Sequence, residues 1–166
     1  MSLVVAGPPA SAASARPATV VTAQVGGWEI WALHSDWCIL PRNFSASLGE
    51  QVVQGGTCAP YDFVSSQAGW YHIKNRNNGL CLNVRDASTA NNAQVIQYRC
   101  NLTLNNDWLM VMQIRVGGHD FYQLRNRNSQ KCLNVQGGSL SPGAALIQYT
   151  CSSTARNNMF TWEPYA

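Results

Sequence analysis

Hydrophobic residues in this chain come in short bursts. Tyr122 and Leu124 alternate with polar neighbours, and Cys132, Leu133 and Val135 follow, bounded by Asn, Ser, Gly and Gln. Leu146-Ile147-Gln148-Tyr149 is another burst, preceded by the turn signal Ser141-Pro142-Gly143. A period of two places alternate side chains on opposite faces of a strand. Turn signals recur at roughly every 8–12 residues, the spacing of sandwiches and barrels. No segment sustains the 3.6-residue period of a packed helix. The pattern predicts an all-β domain.

The bursts repeat. Tyr71–Cys100 lies over Tyr122–Cys151 at a constant offset of 51, with fourteen of thirty positions identical. The identities include Asn75-Arg76-Asn77, Cys81-Leu82-Asn83-Val84 and Ile96-Gln97-Tyr98. A worn copy precedes them, with Trp31–Ser35 set over Tyr71–Asn75 and Cys38 arriving three residues early. Trp70, Trp108 and Trp162 are expected to close the three copies. Three units predict a threefold arrangement, with repeats over about residues 28–70, 71–108 and 119–165.

Six cysteines allow fifteen pairings by counting alone. Equivalent positions should do equivalent things, so the repeat predicts Cys38–Cys58, Cys81–Cys100 and Cys132–Cys151, one bridge per repeat. Closing a loop of that length stabilises by roughly 3 kcal/mol in the chain-entropy model. No C-x-x-C or neighbouring His ligand occurs, so no metal and no cofactor is expected. Disulfides imply an oxidising compartment.

Composition narrows the class. The chain is 46% hydrophobic and 11% charged, against roughly 25% charged in ordinary soluble domains. Asn, Gln, Ser and Thr carry the polar work. The net charge of +3 is diffuse, without the basic stripe that nucleic-acid binding requires. No stretch approaches the roughly 20 apolar residues of a membrane span. Residues 1–27 read differently: Leu3-Val4-Val5-Ala6-Gly7 resembles the stump of a signal-peptide core, and Ala13-Ser14-Ala15 has the small-x-small form of a cleavage site. Residues 1–27 are therefore expected to be a residual signal peptide or flexible leader, and the protein to be secreted, with its domain over 28–166.

Cys81-Leu82-Asn83-Val84-Arg85-Asp86-Ala87-Ser88, then Val95-Ile96-Gln97-Tyr98-Arg99-Cys100, then Asn105-Asn106-Asp107-Trp108 resembles one repeat of a ricin-type β-trefoil lectin. That family's repeat reads roughly C-L-D-V, Q-aromatic-x-C and N-Q-x-W. The resemblance covers about residues 28–165 and is weakest in the first repeat. It implies a β-trefoil of twelve strands and up to three shallow sugar sites, one per repeat. Each site would take the Asp of C-L-D-V, the aromatic two residues before the second cysteine, and the Asn and Gln ahead of the closing tryptophan. An aromatic face packs on the C–H face of a pyranose while fixed planar groups read its hydroxyls.

Carried over, the second repeat offers Asn83, Tyr98, Asn105 and Asn106. Asp86 is close enough along the chain to lend a carboxylate. The third repeat offers Asn134, Tyr149 and, across a longer spacing of 11 residues from Cys151 to Trp162 against 8 from Cys100 to Trp108, Asn157 and Asn158. The second site is expected to be the stronger. The first repeat has Leu40 at the carboxylate position and should be blind. Both intact repeats carry Asn where the family has Asp. A carboxylate accepts charge-assisted hydrogen bonds about twice as strong as neutral ones, so these sites should bind more weakly or differently. Two readings fit Asn83 and Asn134: sugar contacts, or side chains that tie off strand-end backbone groups. Tyr98 and Tyr149 likewise read as sugar platforms or as half-buried packing residues.

No catalytic constellation is evident. The eight acids do not recur between repeats or form pairs, His34, His72 and His119 read as surface residues, and the disulfides consume every thiol. The expected function is carbohydrate binding without catalysis. The alternative is a secreted protein-binding β-trefoil, an inhibitor or a subunit of a larger assembly, touching its partner through the leader and residues 42–57.

Overall fold

The short apolar bursts become strands in the computed structural model, which describes residues 27–166. The signal remnant or leader expected over residues 1–27 therefore lies, Gly27 apart, outside the described residues. Twelve strands run in three sets of four. The first set is β1 (Trp28–Ala32), β2 (Cys38–Pro41), β3 (Val52–Gly55) and β4 (Tyr61–Gln67). The second is β5 (Trp70–Asn75), β6 (Cys81–Val84), β7 (Val95–Tyr98) and β8 (Trp108–Val116). The third is β9 (His119–Asn126), β10 (Cys132–Val135), β11 (Leu146–Tyr149) and β12 (Phe160–Pro164). Only short 3-10 turns interrupt them; there is no α-helix among the described residues.

Six strands close a barrel, in the order β1, β4, β5, β8, β9, β12 and back to β1. The other six form three antiparallel hairpins, β2–β3, β6–β7 and β10–β11. This is a β-trefoil with pseudo-threefold symmetry. Cys38–Cys58, Cys81–Cys100 and Cys132–Cys151 staple one repeat each, the pairing that the repeat predicts. Strands β1 and β12, from opposite ends of the described chain, pair from Trp28↔Pro164 to Ala32↔Phe160. They take the place that the hairpins β4–β5 and β8–β9 hold elsewhere in the ring.

Strand register corrects two readings of the sequence. Trp31, Lys74 and Arg125 face Cys38, Cys81 and Cys132, so Trp28–Ala32 is the counterpart of Tyr71–Asn75. The match of Trp31 to Tyr71 slips by three residues, because two tryptophans lie close together and either satisfies an aromatic position. Cys38 is in register and not early. The closing aromatic positions also differ. Tyr61, Trp108 and Phe160 face Asn75, Asn126 and Ala32, and all three are completely buried. Trp70 and Trp162 do not close repeats: Trp70 opens β5 with the Arg127 guanidinium over its ring, and Trp162 is half-buried, stacked on Tyr122. The core demands a large flat ring there, and an indole, a phenol or a phenyl each supplies one.

Equivalent residues build the core in triplets. Ile30, Ile73 and Leu124 form one, Ile39, Leu82 and Leu133 another, and Val52, Val95 and Leu146 a third; all nine are buried. Polar residues lock the triplets together. Gln54, Gln97 and Gln148 are buried at equivalent positions. Gln97 Nε2 donates to the carbonyls of Ser45 and Ser47 in the first repeat. Gln148 Nε2 reaches Ser88 and Ala90 in the second, and Gln54 Nε2 reaches Ser139 and Ser141 in the third. Their Oε1 atoms accept from Asn78, Ser129 and Ser35 of their own repeats. Where the three repeats meet, the buried Gln51 amide donates to Val52, Val95 and Leu146 carbonyls at 2.8–3.0 Å.

Gln97→Leu keeps the volume but strands two loop carbonyls and the Asn78 amide. At about 1–3 kcal/mol per unpaired buried group, urea unfolding should show a loss of about 2–4 kcal/mol. Tyr61 behaves oppositely: its hydroxyl is buried without a partner, and that burial pushes it far above the ordinary phenol value of 10.0. Phe160 fills the same position with no hydroxyl. Tyr61→Phe should therefore be neutral or stabilising by about 1 kcal/mol at neutral pH. The raised value means that wild-type stability holds below the ordinary phenol range and falls as pH rises above it. Melting curves on either side of that range should show the variant losing less.

Candidate functional site

The hairpins after the first cysteine of the second and third repeats each face a shallow cleft. The second-repeat cleft, about 360 Å³, is lined by Asn83 of β6, Asp86 of the following turn, Ile96 and Tyr98 of β7, and Asn105 of the 104–106 turn. The third-repeat cleft, about 410 Å³, is lined by the counterparts Asn134, Gly137, Ile147, Tyr149 and Asn157. Register explains the pairing: Asn83 faces Ile96 and Asn134 faces Ile147, with the tyrosines two residues along at the strand ends.

Tyr98 and Tyr149 are 40% and 42% exposed, too open to be core packing. Asn83 and Asn134 are 4% and 6% exposed, so their amides form the floors. Asn105 Nδ2 donates to Asn83 Oδ1 and to the Val84 carbonyl, both at 2.8 Å. Asn157 Nδ2 does the same to Asn134 Oδ1 at 2.9 Å and Val135 at 3.0 Å. The residues that tie off strand-end carbonyls are thus Asn105 and Asn157, not Asn83 and Asn134.

Asn106 differs from the expectation. It is completely buried, and its Nδ2 braces the turn by donating to Asn101 Oδ1 and Thr103 Oγ1. It does not line the cleft. Asn158 borders the third-repeat cleft, but it is also fully buried and accepts from Gln123 Nε2 at 3.3 Å. Both follow the residue that faces the cleft and point into the fold. Asn157-Asn158-Met159-Phe160 takes the place of Asn105-Asn106-Asp107-Trp108. The relevant spacing from Cys151 is therefore to Phe160, only one residue longer than Cys100 to Trp108. The longer spacing that ranked the third repeat below the second does not exist.

In the first repeat Leu40 stands where Asn83 does and Gly55 where Tyr98 does. A Cβ on Gly55 would lie 3.0 Å from Leu40 Cδ2, so the leucine fills the space that a floor amide leaves open elsewhere.

Charge separates the two clefts. Asp86 and Arg85 line the second, with Arg85 Nη2 donating to the Gly49 carbonyl at 2.9 Å. Among the described residues, no charged side chain lines the third. The turn that presents Asp86 runs through left-handed backbone at Asp86 (φ 54°) and Ala87 (φ 50°), where the third repeat has Gly137 and Gly138.

Sequence reasoning missed one buried ionic cluster. Asp107 Oδ1 lies 3.0 Å from His72 Nε2 and Oδ2 lies 3.0 Å from Arg127 Nη1. A buried carboxylate persists only with such partners, so His72 is a packed residue and not a surface one. His34 too is partly buried, its Nε2 2.9 Å from the Ser139 carbonyl. Asp107 sits inside Asn-Asn-Asp-Trp, and its place beside a buried aromatic was the available signal. The cluster opens onto neither cleft. His72 also approaches Cys81 and Cys100, but that pair is a disulfide and offers no thiolate.

A family model described as the ricin-type β-trefoil lectin domain-like family matches residues 18–98, 57–149 and 105–164. Among solved structures, a designed 3-fold symmetric protein, ThreeFoil, is 32% identical with a TM-score of 0.74, covering 81% of this chain and 96% of its own. An exo-β-1,3-galactanase from Clostridium thermocellum is 21% identical with a TM-score of 0.76; the match covers 84% of this chain but 30% of the galactanase. The Rhizoctonia solani agglutinin is 10% identical with a TM-score of 0.64, covering 83% and 96%. The last two are likenesses of fold. No curated protein sequence matches significantly.

Left-handed backbone costs an L-residue roughly 1–2 kcal/mol, while glycine adds roughly 0.5–1 kcal/mol of unfolded-state entropy. Ala87→Gly should therefore stabilise the fold by up to about 1 kcal/mol, read as a higher melting temperature, and leave the second cleft intact.

Proposed function

The chain belongs to the ricin-type β-trefoil lectin-like family, and from that membership we propose that it is a secreted carbohydrate-binding protein, without catalytic activity, that reads glycans or polysaccharide through the clefts of its second and third repeats. The observation that carries this reading is the duplicated cleft itself. Two equivalent hollows each combine a half-exposed tyrosine, an apolar Ile and a buried asparagine floor. A sugar offers an apolar C–H face and a rim of hydroxyls, which suits a ring beside fixed planar amides.

The proposed contacts are Asn83, Asp86 and Tyr98 in the second repeat, and Asn134, Tyr149 and Asn157 in the third; Asn105, its Nδ2 held by Asn83 and Val84 and its Oδ1 closed off from solvent, orients the Asn83 amide. Asn106 and Asn158 serve as braces behind them. The first repeat contributes scaffold alone. Three disulfides support an extracellular setting, and no helix among the described residues is long and apolar enough to cross a membrane.

Single shallow sites should bind a monosaccharide near the millimolar level, about −4 kcal/mol. Two sites on one polymer gain a factor of about 10² to 10⁴ from effective concentration. Tyr98→Ala and Tyr149→Ala should each abolish one site, with unfolding free energy changed by less than about 1 kcal/mol because the rings are half-exposed. Calorimetry should give one remaining monosaccharide site in each single variant and a sharp loss of polysaccharide affinity in both. Binding that survives in the double variant would place recognition elsewhere on the molecule.

A further inference from the structure

The amide network assigns more than the presence of two sites. Asn105 Nδ2 sits 2.8 Å from the Val84 carbonyl, and Asn157 Nδ2 sits 3.0 Å from that of Val135. A carbonyl oxygen only accepts, so in each case the atom facing it is the NH₂ group. The same NH₂ also donates to the floor asparagine, which must therefore turn its oxygen inward. The floor oxygen is consumed, and the floor Nδ2 makes no hydrogen bond among the described residues. Asn105 Oδ1, the neighbouring acceptor, is buried without a partner and shut off from solvent. Each cleft thus offers a ligand a donor at its centre.

An aspartate in this position would present an acceptor to sugar hydroxyls. Here the polarity of the floor amide is reversed in both repeats, while the oxygen beside it is closed off at Asn105 and not at Asn157. A hydroxyl can accept from Asn83 or Asn134, but its own proton then needs an acceptor that the floor does not provide. A carbonyl oxygen has no such proton. Charge is not what the two clefts share, because Arg85 and Asp86 line only the second. What they share is a central neutral donor, an apolar Ile and a tyrosine ring. We infer that both clefts select sugars carrying an acetamido group. Its carbonyl oxygen accepts from Asn83 Nδ2 or Asn134 Nδ2, and its methyl packs on Ile96 with Tyr98 or on Ile147 with Tyr149. The inference rests on the reading of these clefts as sugar sites.

The test compares the full chain with the double variant Asn83→Asp/Asn134→Asp, which is isosteric and still accepts from Asn105 and Asn157. The probes are N-acetylglucosamine and N-acetylgalactosamine, the parent hexoses glucose and galactose, and the corresponding uronic acids, titrated by calorimetry with melting curves as the fold control. The wild type should prefer an N-acetylhexosamine over its parent hexose by about tenfold, the worth of roughly one hydrogen bond. The double variant should lose that preference and gain affinity for the parent hexose. Equal wild-type binding of parent and acetamido sugar, a preference for the uronic acid, or an acetamido preference unchanged in the folded double variant would each overturn the inference. Those outcomes leave the lectin reading standing. Should the wild type bind no sugar and no polymer in the panel, the reading and the inference fall together. Should the double variant not fold, the wild-type panel alone decides.

Discussion

Each hairpin of this trefoil ends in a loop whose backbone carbonyls no strand can pair, and Gln54, Gln97 and Gln148 supply the missing donors. Every one of these amides comes from a neighbouring repeat. The same residues also exchange backbone bonds with that neighbour's loop, as where Gly49 donates to the Gln97 carbonyl and Gln97 to that of Glu50. The contacts form a directed ring in which the third repeat serves the second, the second the first and the first the third. No repeat pairs these buried loop carbonyls by itself, so in the assembled fold each depends on its neighbour for them. The disulfides are complementary, because each joins two points of the same repeat.

This division separates scaffold from site. The first repeat keeps Cys38, Ile39, Val52 and Gln54, all buried and all part of the ring or the core. It has Leu40 and Gly55 where the other repeats carry a floor amide and a tyrosine. Residues facing inward answer to packing, whose demands are the same in all three repeats. Residues facing the clefts are not held by that packing demand, and one repeat can lose its cleft without disturbing the others.

The fold was largely legible because its signals are local or periodic: strand bursts, the offset of 51, the cysteine separations of 20, 19 and 19. Legibility failed where chemistry is degenerate. Trp162 looked like a closing residue because it is a tryptophan, but burial tests shape, and Phe160 has the required ring in the required register. Asn106 looked like a ligand contact because its type and spacing suit one. Only the geometry of a turn decides that Asn105 faces out and Asn106 faces in. Gln97 and Gln148 stood inside a recognised motif, yet their partners lie some 50 to 60 residues away in another repeat, a distance that no local pattern encodes. The orientation of the floor amides was likewise invisible, since it depends on which of two nearly identical atoms meets a backbone carbonyl.

The pairing of β1 with β12 makes the position of the chain's opening in the ring arbitrary. That pair stands where a covalent turn joins β4 to β5 and β8 to β9, and Tyr165 donates to the Gly27 carbonyl at 3.1 Å just beyond it. A loop bridging this junction would complete a third hairpin, and the cut could be moved to the Gly117-Gly118 turn between β8 and β9. Such a circular permutant would keep every tier of the core and every glutamine of the ring while starting its order of synthesis with the third repeat. The molecule is then better thought of as a closed loop of three words, readable from any of them, than as a sentence with a beginning.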